Sequence, residues 1–264
     1  TATTEIYTLS LHTLFRSPLP GMLSLQESVL FEGDALNILQ RLPSNSVQCV
    51  VTSPPYWGMR DYGIASQIGL EETLPQFLNR LVAVFAEVRR VLRDDGVLWL
   101  NIGDGYTSGN RGYRAPDKKN PARAMNVRPD TPEGLKPKDL LGLPWRLAFA
   151  LQDDGWYLRS DIVWEKPNAM PESVKDRPSR SHEFLFMLTK SERYFYDHEA
   201  SRETAVNGGK RNRRSVWSIN THRRKSTRLN SRHLTISYAV FCLIKKRNQC
   251  NIVTFERQIQ RAPV

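Results

Sequence analysis

The chain has 264 residues, 40% of them hydrophobic, enough for one α/β domain with a buried core, and no run of eighteen apolar residues or charged-then-apolar leader, so neither a membrane span nor a secretory signal is expected. Cys49, Cys242 and Cys250 sit at spacings that suit neither a disulfide framework nor a zinc site, which fits a reducing cytoplasm and leaves no metal expected. The net charge of +11 is uneven: residues 222–264 carry ten Lys/Arg against Glu256 alone, leaving 28 basic and 26 acidic residues before them, so the body of the chain is nearly neutral.

Residues 1–28 mix Ser, Thr, Leu and Pro without a period and are expected to be poorly ordered; Met22 is a candidate natural start. Val29 to Asp34 predicts a short strand and a Gly turn. Asp34 either caps the helix that buries Leu36, Leu39 and Leu42 or touches a cofactor or the catalytic loop. The apolar run Val47–Val51 predicts a buried strand, and Ser53-Pro54-Pro55-Tyr56 ends it. Each proline fixes φ near −65° and lacks an N–H, so the loop is stiff and its carbonyls can accept hydrogen bonds. A hydroxyl, carbonyls and an aromatic ring thus meet at the carboxyl end of a strand, where open α/β sheets bind ligands.

A helix follows from Thr73, or Glu71 with Glu72, through Phe77, Leu81, Val84, Phe85, Val88 and Leu92, with Asp94-Asp95-Gly96 as its stop. Val97–Ile102 predicts the next strand, ending in the polar turn Gly103-Asp104-Gly105-Tyr106. Two strands with this ending predict a doubly wound α/β sheet. Residues 107–138 are rich in Gly, Asn, Arg, Lys and Pro. They form either a surface loop or a loop that orders on a phosphate backbone through Arg111, Arg114, Lys118 and Lys119. A helix through Leu147, Phe149 and Leu151 ends at Asp153-Asp154-Gly155. Trp156–Asn168, Glu183–Thr189 and Tyr194–Asp197 predict strands, and His182 is expected to be structural.

An ordered series of motifs in this chain resembles the DNA amino-methyltransferases, from about Val29 to Thr221. It comprises Gly33-Asp34, Thr52-Ser53-Pro54-Pro55-Tyr56-Trp57-Gly58, Asn101-Ile102-Gly103-Asp104, Lys136-Pro137-Lys138-Asp139-Leu140, Pro144-Trp145-Arg146, Asp154-Gly155-Trp156, and Trp164 to Asn168 through Arg177 and His182-Glu183. The resemblance implies an incomplete doubly wound, Rossmann-like methyltransferase sheet with a long basic loop. It implies methyl transfer from S-adenosylmethionine to an exocyclic amine of an extruded base in double-stranded DNA. Ser53, Pro54, Pro55 and Tyr56 would be catalytic, Asp34 would lie on the cofactor side, and a restriction endonuclease is a possible companion. Ser rather than Asp before Pro-Pro leans toward cytosine N4, with adenine N6 the alternative. A non-catalytic protein that binds nucleic acid through its basic loop and tail is the rival from another class.

The pattern breaks after Thr221. The family's Phe-x-Gly-x-Gly cofactor turn is absent; Gly208-Gly209 does not qualify. Lys225 to Ser231 and Ile236 to Leu243 read as translated sequencing-adapter DNA. The expected organisation is therefore residues 1–28 poorly ordered, 29–221 a partial methyltransferase domain, and 222–264 a non-native tail. The sheet is then expected to lack one strand, and residues 1–264 alone to transfer little methyl.

Overall fold

The computed structural model describes residue 31 and residues 33–61, 66–107, 129–221 and 241–244, the last as backbone. Helix α1 (Ala35–Arg41) starts where the Asp34 carboxylate accepts the Asn37 N–H at 3.1 Å. Strand β1 (Val47–Thr52) delivers the Pro-Pro loop. Helix α2 (Leu74–Val91) opens on a reciprocal capping box between Thr73 and Gln76, with Pro75 in the first turn. It buries Phe77, Leu81, Val84, Phe85 and Val88 along one stripe. Thr73→Ala is expected to cost about 1 kcal/mol, measured as a lower urea midpoint at unchanged slope.

The predicted stop at Asp94-Asp95-Gly96 is corrected. The helix ends at Val91, Leu92 is already extended (φ −68°, ψ 139°), and β2 runs Leu92–Ile102. Val47 faces Leu92 but Cys49 faces Val97, so the Asp94–Gly96 stretch bulges from the ladder instead of turning a helix. Gly96 is obligatory there. A Cβ on it would lie 2.6 Å from Leu92 Cγ and 2.9 Å from the Gln48 carbonyl.

Helix α3 (Leu143–Asp153) precedes β3 (Tyr157–Glu165) and β4 (His182–Thr189). The predicted strand Tyr194–Asp197 is not one: the Asp197 carboxylate caps a single turn, α4 (His198–Ser201), through the Ala200 N–H at 3.0 Å. The strands β5 (Glu203–Thr204) and β6 (Lys210–Arg211) pair in a small hairpin, and β7 (Val216–Ser218) and β8 (Phe241–Ile244) are short.

The main sheet has the order β7-β3-β4-β2-β1-β8. It is mixed: β1 and β2 run parallel, and β4 runs antiparallel to both β2 and β3. Helix α2 packs against both α1 and α3, so the three form one layer. That layer covers the sheet face carrying Val50, Leu98, Leu100, Ile102, Phe186 and Leu188, all fully buried. One edge of β1 carries the backbone of β8, antiparallel, with Thr52 facing Phe241 and Cys49 facing Ile244.

Candidate active site

Strand direction gathers the site. The carboxyl ends of β1, β2 and β3 and the amino end of β4 all reach one edge of the sheet, because Ile102 pairs with Phe184 and Glu165 with His182. Ser53, Asn101, Lys166 and Glu183 therefore converge although they lie up to 130 positions apart.

Glu183 is the hub. Its Oε2 accepts the Tyr56 phenol O–H at 3.1 Å and the Asn101 Nδ2–H at 3.0 Å. Its Oε1 is ion-paired with the Lys166 ammonium, which also lies 4.4 Å over the Trp164 ring. Asn101 Nδ2 further donates to Ser53 Oγ at 3.4 Å. Gly103 closes the cluster: a Cβ there would come within 3.0 Å of the Tyr56 ring and 3.2 Å of the Glu183 side chain. Burial, and then the negative charge of Glu183, push the Tyr56 phenol well above its ordinary range, so it acts as a neutral donor. Burial, followed by the positive charge of Arg180, lowers the neighbouring His182 imidazole from its ordinary value.

The Pro-Pro loop is braced on its far side. Trp57 Nε1 donates to the Glu71 carbonyl at 2.8 Å, and the Gly58 N–H donates to the Gly69 carbonyl at 2.8 Å. Glu71 Oε2 accepts the Gly69 N–H at 2.8 Å while its Oε1 takes Arg80 at 2.7 Å. Gly69 has φ +105°, and a Cβ there would lie 3.1 Å from the Tyr56 carbonyl. Ser53 is exposed at the tip, Pro54 is buried and Tyr56 is half-buried.

Asp104 caps α3 from outside the helix. Gly142, at φ +66°, has no side chain to cap with, and Asp104 Oδ1 accepts the Leu143 N–H at 2.9 Å. Arg177 lies 3.8 Å over the Tyr106 ring and pairs with Glu172 at 2.6 Å. Asn168 grips Thr221 through its Nδ2 at 2.6 Å to the carbonyl and its Oδ1 at 2.8 Å from the N–H. These clasps tie the segment between β3 and β4 to its neighbours.

Of the residues singled out in the sequence, Ser53, Pro54, Pro55 and Tyr56 stand together at the strand end. Asp34 is an N-cap, the first of its two readings. Arg111, Arg114, Lys118 and Lys119 lie outside the described residues. Sequence reasoning assigned no role to Asn101, Lys166 or Glu183. The signal available was a polar or charged side chain at the end of an otherwise apolar strand, at an alternation position that faces inward. Among the described residues no helix is long and apolar enough to cross a membrane, and no group of His, Cys, Asp and Glu could hold a metal ion.

Comparison with known proteins gives one family match and three relatives that agree with it. The profile of a family described as DNA methylase, N6_N4_Mtase, matches residues 47–242. The chain is 81% identical over 202 residues to Type II methyltransferase M.XycI of Xanthomonas campestris pv. cyanopsidis, covering 76% of this chain and 67% of that protein. It is 75% identical over 213 residues to Type II methyltransferase M.Cfr9I of Citrobacter freundii, covering 81% of this chain and 70% of the relative. Type II methyltransferase M.SmaI of Serratia marcescens is 58% identical over 200 residues, 75% of this chain and 68% of its own.

Proposed function

The chain belongs to the DNA methylase family of S-adenosylmethionine-dependent enzymes, and on that premise we propose that it acts within a specific duplex site on the N4 amine of cytosine rather than the N6 amine of adenine. The observation that carries this reading is Ser53, exposed at the end of β1 on a braced Pro-Pro loop and hydrogen-bonded by Asn101. Ser in place of Asp before Pro-Pro supports the cytosine preference.

An exocyclic amine is a poor nucleophile because its lone pair is delocalised into the ring. Ser53 Oγ and the Pro54 carbonyl are acceptors that draw on its N–H bonds and localise that pair. Tyr56 offers a face on which an extruded base stacks. S-adenosylmethionine, when bound, supplies the methyl group on a sulfonium centre. Asn101 Oδ1, a buried acceptor without a protein partner, stands at the end of β2 and fits a ligand that brings N–H or O–H donors. Asp34 is the further candidate on the cofactor side. The Phe-x-Gly-x-Gly turn is not among the 264 residues, so residues 29–221 supply the base side of the site. A restriction endonuclease reading the same sequence is the proposed companion.

The test compares residues 1–264 with a chimera. In the chimera, the residues after Thr221 are replaced by the corresponding carboxyl-terminal segment of the Citrobacter freundii relative. Both are given labelled S-adenosylmethionine and unmethylated genomic DNA, and the product is digested to nucleosides. The chimera is expected to label N4-methylcytosine and the 264-residue chain to label little. Label in N6-methyladenine would overturn the base assignment, and robust transfer by residues 1–264 would overturn the division of the site.

Arg111, Arg114, Lys118 and Lys119 are proposed to neutralise DNA phosphates. Replacing all four by alanine is expected to lower the slope of log affinity against log salt by up to about 3 to 4, at roughly 0.9 per lost contact. Fluorescence anisotropy across a salt series measures it; an unchanged slope removes the loop from the interface.

A further inference from the structure

Glu183 accepts from Tyr56 and Asn101 and pairs with Lys166, and its position suggests a role that the methyl-transfer reading does not use. Oε2 takes Tyr56 and Asn101 together, while Lys166 balances the charge on Oε1. The Asn101 amide could in principle face either way. Beside a carboxylate only its Nδ2 can point inward, because Oδ1 would repel Glu183. Nδ2 is therefore the atom that reaches Ser53 Oγ, and Oδ1 is left buried with no protein partner. The Tyr56 phenol is likewise forced to donate, which tethers the far end of the ring. Gly103 lies close against both side chains, and a Cβ there would crowd them.

We propose that Glu183 is a positioning residue that sets the direction of hydrogen bonding across the pocket, making Ser53 Oγ an acceptor of the Asn101 amide and locking the Tyr56 ring as the stacking platform. With the carboxylate in place, the arrangement has one polarity: Asn101 donates to Ser53 and Glu183, and Tyr56 donates to Glu183. Glutamine at 183 would keep the shape and lose the polarity. Its amide can present either N–H or oxygen to Asn101 and Tyr56, so both partners are free to reverse. The neighbouring titratable and charged groups are Lys166 on the same ion pair, Arg180 just before β4 and His182 at its first position. The proposal rests on the methyl-transfer reading for its kinetic consequence, but not for its spectroscopic one.

The spectroscopic arm uses the 264-residue chain without cofactor or DNA. Alkaline titration of tyrosinate absorbance, taken as a difference against Tyr56→Phe, isolates the Tyr56 phenol. Glu183→Gln is expected to let that phenol ionise at a lower pH than in the parent, in a protein that still melts cooperatively. The kinetic arm uses the chimera. There E183Q is expected to lower kcat about 10- to 100-fold, less than the loss from removing a group that touches the base, with KM for DNA unchanged. Adding Tyr56→Phe to E183Q is expected to produce no further fall, because the two act as one unit. An unchanged Tyr56 titration, or parental kcat in E183Q, overturns the proposal. A parental chimera that transfers no methyl overturns the methyl-transfer reading instead and leaves the titration to decide the role of Glu183.

Discussion

Ser53→Ala in the chimera is expected to lower the rate of methyl transfer to DNA by about 100- to 1000-fold, the usual loss when one preorganised hydrogen-bonding group is taken from a reacting centre. Stability should hardly change, because Ser53 is exposed and the loop is fixed by other groups. Pro54 and Pro55 keep the loop stiff, Trp57 is anchored on the Glu71 carbonyl, and Tyr56 is anchored on Glu183. On the proposed mechanism the lost hydroxyl removes an acceptor for the target amine, and it leaves Asn101 Nδ2 with Glu183 alone. The measurement is initial rate at saturating S-adenosylmethionine and DNA, beside the melting curve of each protein. A variant within about threefold of the parental rate would place the activating group elsewhere, since a transition-state contact is worth more than that. It would also favour a protein that binds DNA without catalysis.

Phe186→Ala is the larger expected loss in stability. Phe186 is fully buried in the central strand β4, with Trp145 at 5.2 Å edge-on and Phe184 stacked at 5.8 Å. It faces Leu100 across one ladder and Asp161 across the other, so neither backbone can collapse into the space. Truncating such a ring costs about 3–5 kcal/mol, a large part of the roughly 5–15 kcal/mol that holds a domain folded. Equilibrium urea unfolding should show the native baseline shortened or gone. A midpoint within error of the parent would mean that the layer between α3 and β4 is not the core that the contacts describe.

Much of this architecture was legible in the sequence. The 3.6-residue spacing of Phe77, Leu81, Val84, Phe85 and Val88 defined the buried face of α2, and Thr73 was one of the two starts it left open, because capping and amphipathicity are local. The run Val47–Val51 and its Pro-Pro stop likewise fixed β1 and the loop it carries. Reading failed where a local stop signal met a nonlocal partner. Asp94-Asp95-Gly96 looks like the end of a helix. In the fold it is a bulge held from outside: the Ser191 hydroxyl donates to the Asp94 carbonyl at 2.5 Å and the Phe195 N–H donates to the Asp95 carbonyl at 2.9 Å. Tyr194–Asp197 has the aromatic content of a strand, but no neighbouring strand pairs with it among the described residues.

The sequence by itself determined the stiff Ser53-Pro54-Pro55-Tyr56 loop at a strand end and the hydrogen-bond acceptors and ring it carries, since each depends on residues adjacent in the chain. Tertiary structure alone decided that Glu183 faces Tyr56 and Asn101. That contact follows from the antiparallel insertion of β4 beside β2, which brings position 183 against positions 56 and 101. Strand order and direction are set by the packing of whole faces, and no local pattern encodes them.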